Sequence, residues 1–423
     1  MAAVALMAGF SSCSNDEDVV GGGKVTPGEP TTMELRISFE NPGTYGTADP
    51  NATADEAAVK TVSVFIFDYA TNKLVSRGDL VAADFTQTAS GSKDLYVASK
   101  KLTTTTGLKR IYVGVNLPAE FQMAIGQSFS KLTEAVNTTV ANLTSSTNGF
   151  AMFSADERNT PLVTPTDASY QVANTVTVRV ERLVAKVAVQ ASGTLSLASG
   201  GGVLSNLEFC IGQSNKKMYR FKFLDMSNVK DPNWDTYEAA DFETFSDYVA
   251  INSASVANNI DLTAKYATEN TSKLALEKEV TYASVRARFV PGQYLDGTGA
   301  VKPGTPVIGT TFWMVSLNDG TKNYFDVSSE ADAYVLLHAA DGAVKSPEYT
   351  NGYCYFTLFL NPKGKYNVIR NSFFKATITK IVAPGNPTPD PLNPTDPVKI
   401  PTDMTCNLEV LPWTLISDNY ELE

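Results

Sequence analysis

Met33-Glu34-Leu35-Arg36-Ile37-Ser38-Phe39-Glu40 alternates apolar and polar side chains without a fault. In an extended chain successive side chains point to opposite faces, so this octet lays four apolar teeth on one side and predicts a strand with one buried face. The same reading extends outward. Residues 59–67 carry Val62, Val64 and Ile66 on one face and Phe65 and Phe67 on the other, and a run apolar on both faces belongs at the centre of a sheet. Residues 95–98, 110–115, 174–182, 183–191, 204–211, 219–223, 280–289, 310–315, 333–337, 354–360 and 370–382 read as further strands. Strands at this density, broken by Gly, Pro, Asn and Asp turns, argue for an all-β chain built of β-sandwiches. One stretch departs from period 2. Leu132, Val136, Val140 and Leu143 recur near the helical period and predict an amphipathic helix.

At 423 residues the chain can hold two or three domains, each with its own core. A formal net charge of −11 provides no basic face for nucleic acid, which is excluded as a partner. Catalytic constellations are missing. His338 is the single histidine and closes the apolar run Val335-Leu-Leu, so a multi-histidine metal site is impossible and a Ser-His-Asp triad would rest on it alone. No Gly-x-Ser-x-Gly elbow and no phosphate loop of the Gly-Lys-Ser/Thr kind occurs. Asp231-Pro-Asn233-Trp-Asp235 imitates the start of a calcium loop, but Thr236 stands where glycine is needed and Phe242 where a bidentate glutamate belongs, so a polar surface turn is the expectation. Cys210, Cys354 and Cys406 show no short spacing and imply neither a disulfide framework nor a zinc knuckle. No cofactor is expected, and the chain does not read as an enzyme. Trp234, Trp313 and Trp413 could stack on sugars, yet scattered singly they read as core or interface anchors.

The two ends are distinctive. Residues 1–10 form an apolar run too short to span a bilayer, followed by Ser11-Ser12-Cys13 and the acidic Asp16-Glu17-Asp18. This resembles a lipoprotein signal whose Cys13 takes the lipid, although no basic residue precedes the run and Phe10 stands where Leu is commoner. Residues 14–32, with Gly21-Gly-Gly23 and Pro27, Gly28 and Pro30, have a tether's composition. Residues 41–58 make a loop long for a compact domain, which marks it as functional or mobile. Ser199-Gly-Gly-Gly202 suggests a seam between domains. Pro384, Pro387, Pro389, Pro391, Pro394, Pro397 and Pro401 crowd one segment, and polyproline II at ~3.1 Å per residue would hold the C-terminal residues ~50 Å from their domain. Those residues open on another clean alternation, Met404-Thr-Cys406-Asn-Leu408-Glu-Val410, then Leu411-Pro412-Trp413-Thr414-Leu415. An apolar strand on a stiff arm needs an acceptor groove.

Residues 178–187, Val-Arg-Val-Glu-Arg-Leu-Val-Ala-Lys-Val, resemble the V-E-R-x-x-A-R/K segment of the Mfa/FimA-type major fimbrial subunits, the type V pilins of Bacteroidales. Residues 366–374, Tyr-Asn-Val-Ile-Arg-Asn-Ser-Phe-Phe, are similar to the family's N-x-V-V-R-N-x-x-Y motif with Phe374 at the usual tyrosine. The Pro-rich linker, Leu408-Glu-Val410-Leu-Pro412-Trp413 and the acidic Glu421-Leu-Glu423 complete the likeness. The resemblance implies two tandem transthyretin-like β-sandwich domains, 33–190 and 191–382, with one or two short helices. A signal and lipidated Cys13 (1–13), the tether (14–32), a linker (383–403) and a C-terminal donor strand (404–423) flank them. It also implies a function. An outer-membrane lipoprotein precursor, held in lipid through Cys13, loses its first strand (33–40) to a protease that cuts the following loop. The C-terminal strand of an identical or related subunit then fills the groove, building a cell-surface fimbria for adhesion to host or bacterial ligands and for biofilm formation.

The residues support that mapping in their own right. Met33, Leu35, Ile37 and Phe39 form one four-tooth comb, and Met404, Cys406, Leu408 and Val410 form another of the same period, extended by Trp413 and Leu415. Four such side chains at about 1.5–3 kcal/mol each make a long-lived joint. Because donor and acceptor differ, the contact is head-to-tail and makes a filament. One departure concerns the cut. Familiar members are cut after arginine, yet residues 41–58 contain no Arg or Lys, so a different protease is expected to act near Thr44, Tyr45, Gly46, Thr47, Ala48 and Asp49. The rival readings are a non-polymerising surface lipoprotein that binds glycan or host ligand, and a tip or anchor subunit. A chain with both a groove and a donor favours the shaft.

Overall fold

The computed structural model describes residues 28–39, 52–87, 95–193, 195, 197, 201–225, 228–243, 246–389, 392, 395–399 and 403–413. Strand dominates, and the main ladders form two groups that change over at Leu183, with the short pairing of 136–137 to 217–218 crossing between them.

In the first group Thr61–Asp68 lies between Leu74–Val81 and Gly107–Val115, and Val62 through Phe67 are buried on both faces, as the unbroken apolar run requires. The sheet continues from Gly107–Val115 through Met152–Ser154 to Thr175–Arg182. Pro30–Ser38 runs parallel to Thr175–Arg182, and on its other side it pairs antiparallel with Leu95–Ala98 and Leu102–Thr105.

The second group begins where the chain passes Leu183. Val184–Ala191 lies between Ala264–Thr268 and Ser372–Ile381, and Met404–Pro412 closes the edge of that sheet. A facing layer consists of Gly202–Gly212, Tyr282–Pro291 and Tyr353–Phe359. Val187, Val189, Phe374 and Ile378 from one layer meet Phe209, Val285, Phe356 and Leu358 from the other in a common core. The hairpin Trp313–Ser316/Lys322–Phe325 and the α-helix Ser328–Leu337 share a smaller core of Val315, Phe325, Ala331 and Tyr334.

Several expectations give way here. Residues 132–143 are not one helix. Leu132 closes a 3-10 turn, Val136 pairs with Met218 in a short bridge, and only Val140–Leu143 makes a helical turn, which Thr139 caps. The segment is rich in β-branched residues, and its apolar side chains reach the core from loops. Residues 333–337 belong to the Ser328–Leu337 helix and are not a strand, and Leu336 and Leu337 are exposed at 80% and 61%. Residues 219–223 form no continuous strand, since Lys217–Met218 and Phe223–Asp225 pair elsewhere around them. The 310–315 strand is narrower, at Trp313–Ser316. The change of sheet at Leu183 precedes both the 190/191 boundary and the glycine stretch. A period-2 pattern carries no mark of where a strand leaves one sheet for another, and residues 175–191 are almost continuously extended.

The Pro-rich segment also differs from a projecting arm. Among its described residues, Asn386 bridges Tyr355 and Pro397 bridges Leu276, while the Val382 N–H donates to the Asp403 carbonyl at 2.8 Å. Those described residues lie against the second group of strands, and Met404–Pro412 docks on Ser372–Ile381. Backbone pairing there satisfies groups that an extended arm would leave to water.

Candidate functional site

The 30–38 strand is enclosed. Met33, Leu35 and Ile37 are fully buried, and Phe39 meets the Tyr96 ring edge-on at 5.7 Å. Leu35 lies opposite Val176 and Ile37 opposite Val178. The Asn174 side-chain amide donates to the Thr32 carbonyl at 2.8 Å, and the Thr31 hydroxyl donates to the Val163 carbonyl at 2.6 Å. The strand is thus fixed by one parallel ladder, two antiparallel ladders and a row of side chains. Without it, the apolar row of Val176, Val178 and Val180 would face an open groove.

The 404–412 strand is held differently. It pairs with Ser372–Ile381 along its length and, among the described residues, has a partner on one side only. Met404 is buried, Cys406 and Leu408 are half-buried, and Val410 is 39% exposed, so burial of the comb declines along the strand. Burial returns abruptly at Trp413, which is 0% exposed.

Trp413 sits where the two sheet groups meet. Its indole stacks on Tyr266 (centroids 5.7 Å apart, planes at 9°) and meets Phe150 edge-on at 6.2 Å. The Arg182 guanidinium lies 4.6 Å over the indole and the Lys186 ammonium 5.8 Å from it. Beneath these groups is a buried polar network. Lys186 Nζ lies 3.0 Å from Glu56 Oε1, with both side chains 1% exposed, and the Tyr266 hydroxyl donates to the same carboxylate at 2.6 Å. Burial first, then the Glu56 carboxylate, hold the Tyr266 phenol protonated far above its usual range. Arg182 Nε donates to the Glu56 carbonyl at 2.8 Å. A buried pair of this kind persists when its remaining polar atoms are also bonded, as Glu56 is by Tyr266 and by the Thr53 N–H.

The second sequence motif arrives at the same place. Asn371 Oδ1 accepts from the Arg182 N–H at 3.2 Å, and the Trp413 N–H donates to the Asn371 carbonyl at 3.2 Å. Arg370 makes a fork on Glu269 with both bonds at 3.0 Å, and donates to the Tyr219 and Arg220 carbonyls. Lys222 reaches Glu181 at 2.7 Å, and burial raises the Glu181 carboxyl despite that lysine. Both motifs therefore build one junction, closed by the last described residue of the C-terminal strand. Sequence reasoning missed Glu56, Tyr266 and Glu269. The available signal was Lys186, a charge inside a strand apolar on both faces, which demands a buried counter-charge.

Other candidates resolve plainly. Asp231 and Asn233 are buried at 2% and 7%, not on a surface turn. Asp231 accepts from the backbone N–H groups of Asn233 and Thr271, which anchors the turn against 268–272. His338 caps the C-terminus of the 328–337 helix and sits 2.8 Å from Asp341, its ring tilted at 30° over Tyr334 with centroids 4.2 Å apart. Cys210 and Cys354 are buried and Cys406 half-buried, all free thiols, and burial pushes Cys354 up to about 12. Cys13, the loop residues Thr44, Tyr45, Gly46, Thr47, Ala48 and Asp49, and Leu415 lie outside the described residues.

Two family profiles match the chain. The profile for the major fimbrial subunit protein FimA covers residues 31–193, and the profile for the C-terminal part of fimbrillin, the type IV major fimbrial subunit protein, covers 347–419. Together they span more than half of the sequence and include both motifs of the junction. The chain belongs to the FimA-type fimbrillin family. This fimbrillin thus joins structural proteins and not enzymes. A Parabacteroides distasonis protein assigned to cell adhesion aligns at 15% identity with a TM-score of 0.52, covering 91% of this chain and 100% of that one. A second from the same organism aligns at 13% with a TM-score of 0.51, covering 93% and 99%. At these identities the two show a shared fold. A fimbrilin from Porphyromonas gingivalis W83 aligns at 13% identity with a TM-score of 0.48, covering 92% and 99%. No curated protein matches the chain.

Proposed function

We propose that this fimbrillin is a shaft subunit of a cell-surface fimbria that polymerises head to tail by donor-strand exchange and serves adhesion. It is exported as a lipoprotein on Cys13, and its two sheet groups act as tandem domains. A protease cuts the loop after the first strand, within residues 44–49. Strand 33–40 leaves with the lipid anchor, and strand 404–412 of the next subunit takes its place.

The observation that carries this reading is the pairing of two like combs in unlike settings. Met33, Leu35, Ile37 and Phe39 fill a slot in the middle of a sheet, whereas Met404, Cys406, Leu408 and Val410 lie on an edge with their burial incomplete. Moving the second comb into the first slot buries Val410 and the half-covered Cys406 and Leu408, at about 1.5–3 kcal/mol for each fully buried side chain. It also gives the donor a ladder on both sides in place of one. The transfer is downhill once the slot is empty.

The test is electron microscopy of cells expressing the full chain or a version ending before Met404. Fibres are expected only from the full chain. Fibres from the truncated chain would refute the donor role.

A further inference from the structure

We infer that in the fibre the box holding Trp413 in this structure is refilled by Trp413 of the neighbouring subunit. The inference rests on the donor-strand reading and adds to it a seat for the residue that comes after the comb.

Register carries the argument. Residues 34–38 pair in parallel with 175–179, one for one. A donor with Met404 in the Met33 position advances along 175–182 at that same offset. Val410 then falls opposite Val180, and Trp413 opposite Leu183. Leu183 is the buried residue at which the chain crosses from the first sheet to the second. Its neighbours Arg182 and Lys186 are two walls of the Trp413 box, and Tyr266 and Phe150 are the others.

The acceptor's own indole is absent at that moment. Strand 404–412 cannot stay on Ser372–Ile381 and also fill a neighbour's slot, so a subunit that donates its strand empties its own box. Each acceptor thus offers a vacated indole site beside the point where an incoming indole arrives. An empty box would expose the Lys186–Glu56 pair, whose two side chains are 1% exposed here, would take the indole face from Arg182, and would leave Lys186 with the Phe373 ring at 5.2 Å. The box also selects direction. Reversed insertion would bring Met404 to the junction and carry Trp413 past the Thr31 end, away from Arg182, Lys186, Tyr266 and Phe150.

The experiment places p-benzoylphenylalanine at Trp413 and assembles fibres from an equal mixture of heavy-nitrogen-labelled and unlabelled full-length subunits. After irradiation, linked peptides are read by mass spectrometry. The unassembled subunit should link residue 413 to the Phe150 and Tyr266 peptides of its own chain. Fibres should link it to the same peptides, with about half of the pairs joining a labelled to an unlabelled chain. Pairs of a single label would show that the indole never leaves its own box, which overturns the inference and the donor-strand reading together. Mixed pairs confined to residues 175–180 would overturn the box alone and leave strand exchange standing. If the ketone blocks assembly, a Trp234→Phe/Trp313→Phe variant leaves Trp413 as the sole indole. Iodide quenching of its emission should be as weak in fibres as in the subunit, and strong quenching in fibres would overturn the inference.

Discussion

Replacing Trp413 by alanine should free the C-terminal strand without unfolding the rest of the molecule. Trp413 is fully buried and contacts Tyr266, Phe150, Arg182 and Lys186, and truncating a buried Trp to Ala costs about 3–5 kcal/mol. Trp413 belongs to the core of the first group, but among the described residues strand 404–412 has a ladder on one side only and a half-covered comb, so the loss is expressed first as release of that edge strand. At about 1.4 kcal/mol per tenfold, protection of the 404–412 amides from hydrogen exchange should drop by roughly 100- to 4,000-fold. Protection in Thr61–Asp68 and Gly107–Val115 should stay within a few-fold. Trp413→Phe is the control, because it keeps an aromatic face and gives up an indole N–H that has no acceptor among the described residues. Native-state exchange read by mass spectrometry measures both variants. Unchanged protection at 404–412 in the alanine variant would mean that the ladder to Ser372–Ile381 holds the strand unaided, which refutes the reasoning.

Glu56→Ala leaves the buried Lys186 ammonium without its carboxylate and should cost about 3–5 kcal/mol in urea unfolding, most of it recovered by adding Lys186→Met; no recovery would contradict a charge-pair origin. Ile37→Ala should destabilise the uncut subunit by about 2–5 kcal/mol yet leave the heat resistance of finished fibres unchanged, because the proposal removes that residue from them; fibres weakened by this substitution would argue that the strand stays. Burial pushes the Asp231 carboxyl from 3.8 up to about 7. The folded state then holds its proton more tightly than the unfolded chain, so the stability it contributes is complete below about pH 3.8 and is lost as pH rises through about 7. Asp231→Asn cannot titrate, so urea unfolding at about pH 5 and pH 8 should show the parent losing ground to the variant with rising pH, and the opposite trend would refute the assignment.

The strands were legible where one physical rule governed them. Met33–Phe39 alternates because one face is buried and the other is not, and Val62–Phe67 is apolar throughout because both its faces are covered. The same rule misled at residues 333–337. Val335-Leu336-Leu337 reads as a buried strand, yet those residues end a helix whose buried contacts are Ala331 and Tyr334, and Leu336 and Leu337 face outward. Leu132, Val136 and Leu143 are buried and Val140 half-buried, but the helical spacing of the four is coincidental, since they come from a 3-10 turn, a bridge and one short helical turn. The junction was half legible. Arg182, Lys186, Arg370 and Asn371 stand out as motif residues, but their partners lie far away in sequence. Lys186 meets Glu56 at a separation of 130 residues and Tyr266 meets Glu56 at 210, beyond any local periodicity. Trp413 read as one more tooth of the donor, and its place in a box formed by two motifs appears only in three dimensions.

The central claim is that strand 404–412 of one subunit replaces strand 30–38 of the next, and mass spectrometry of subunits released from sheared fibres tests it most directly. Strand exchange predicts a polypeptide that begins after residue 40, within or just beyond 44–49, and retains residues 404–413 intact. A fibre subunit that begins before Met33 would contradict it.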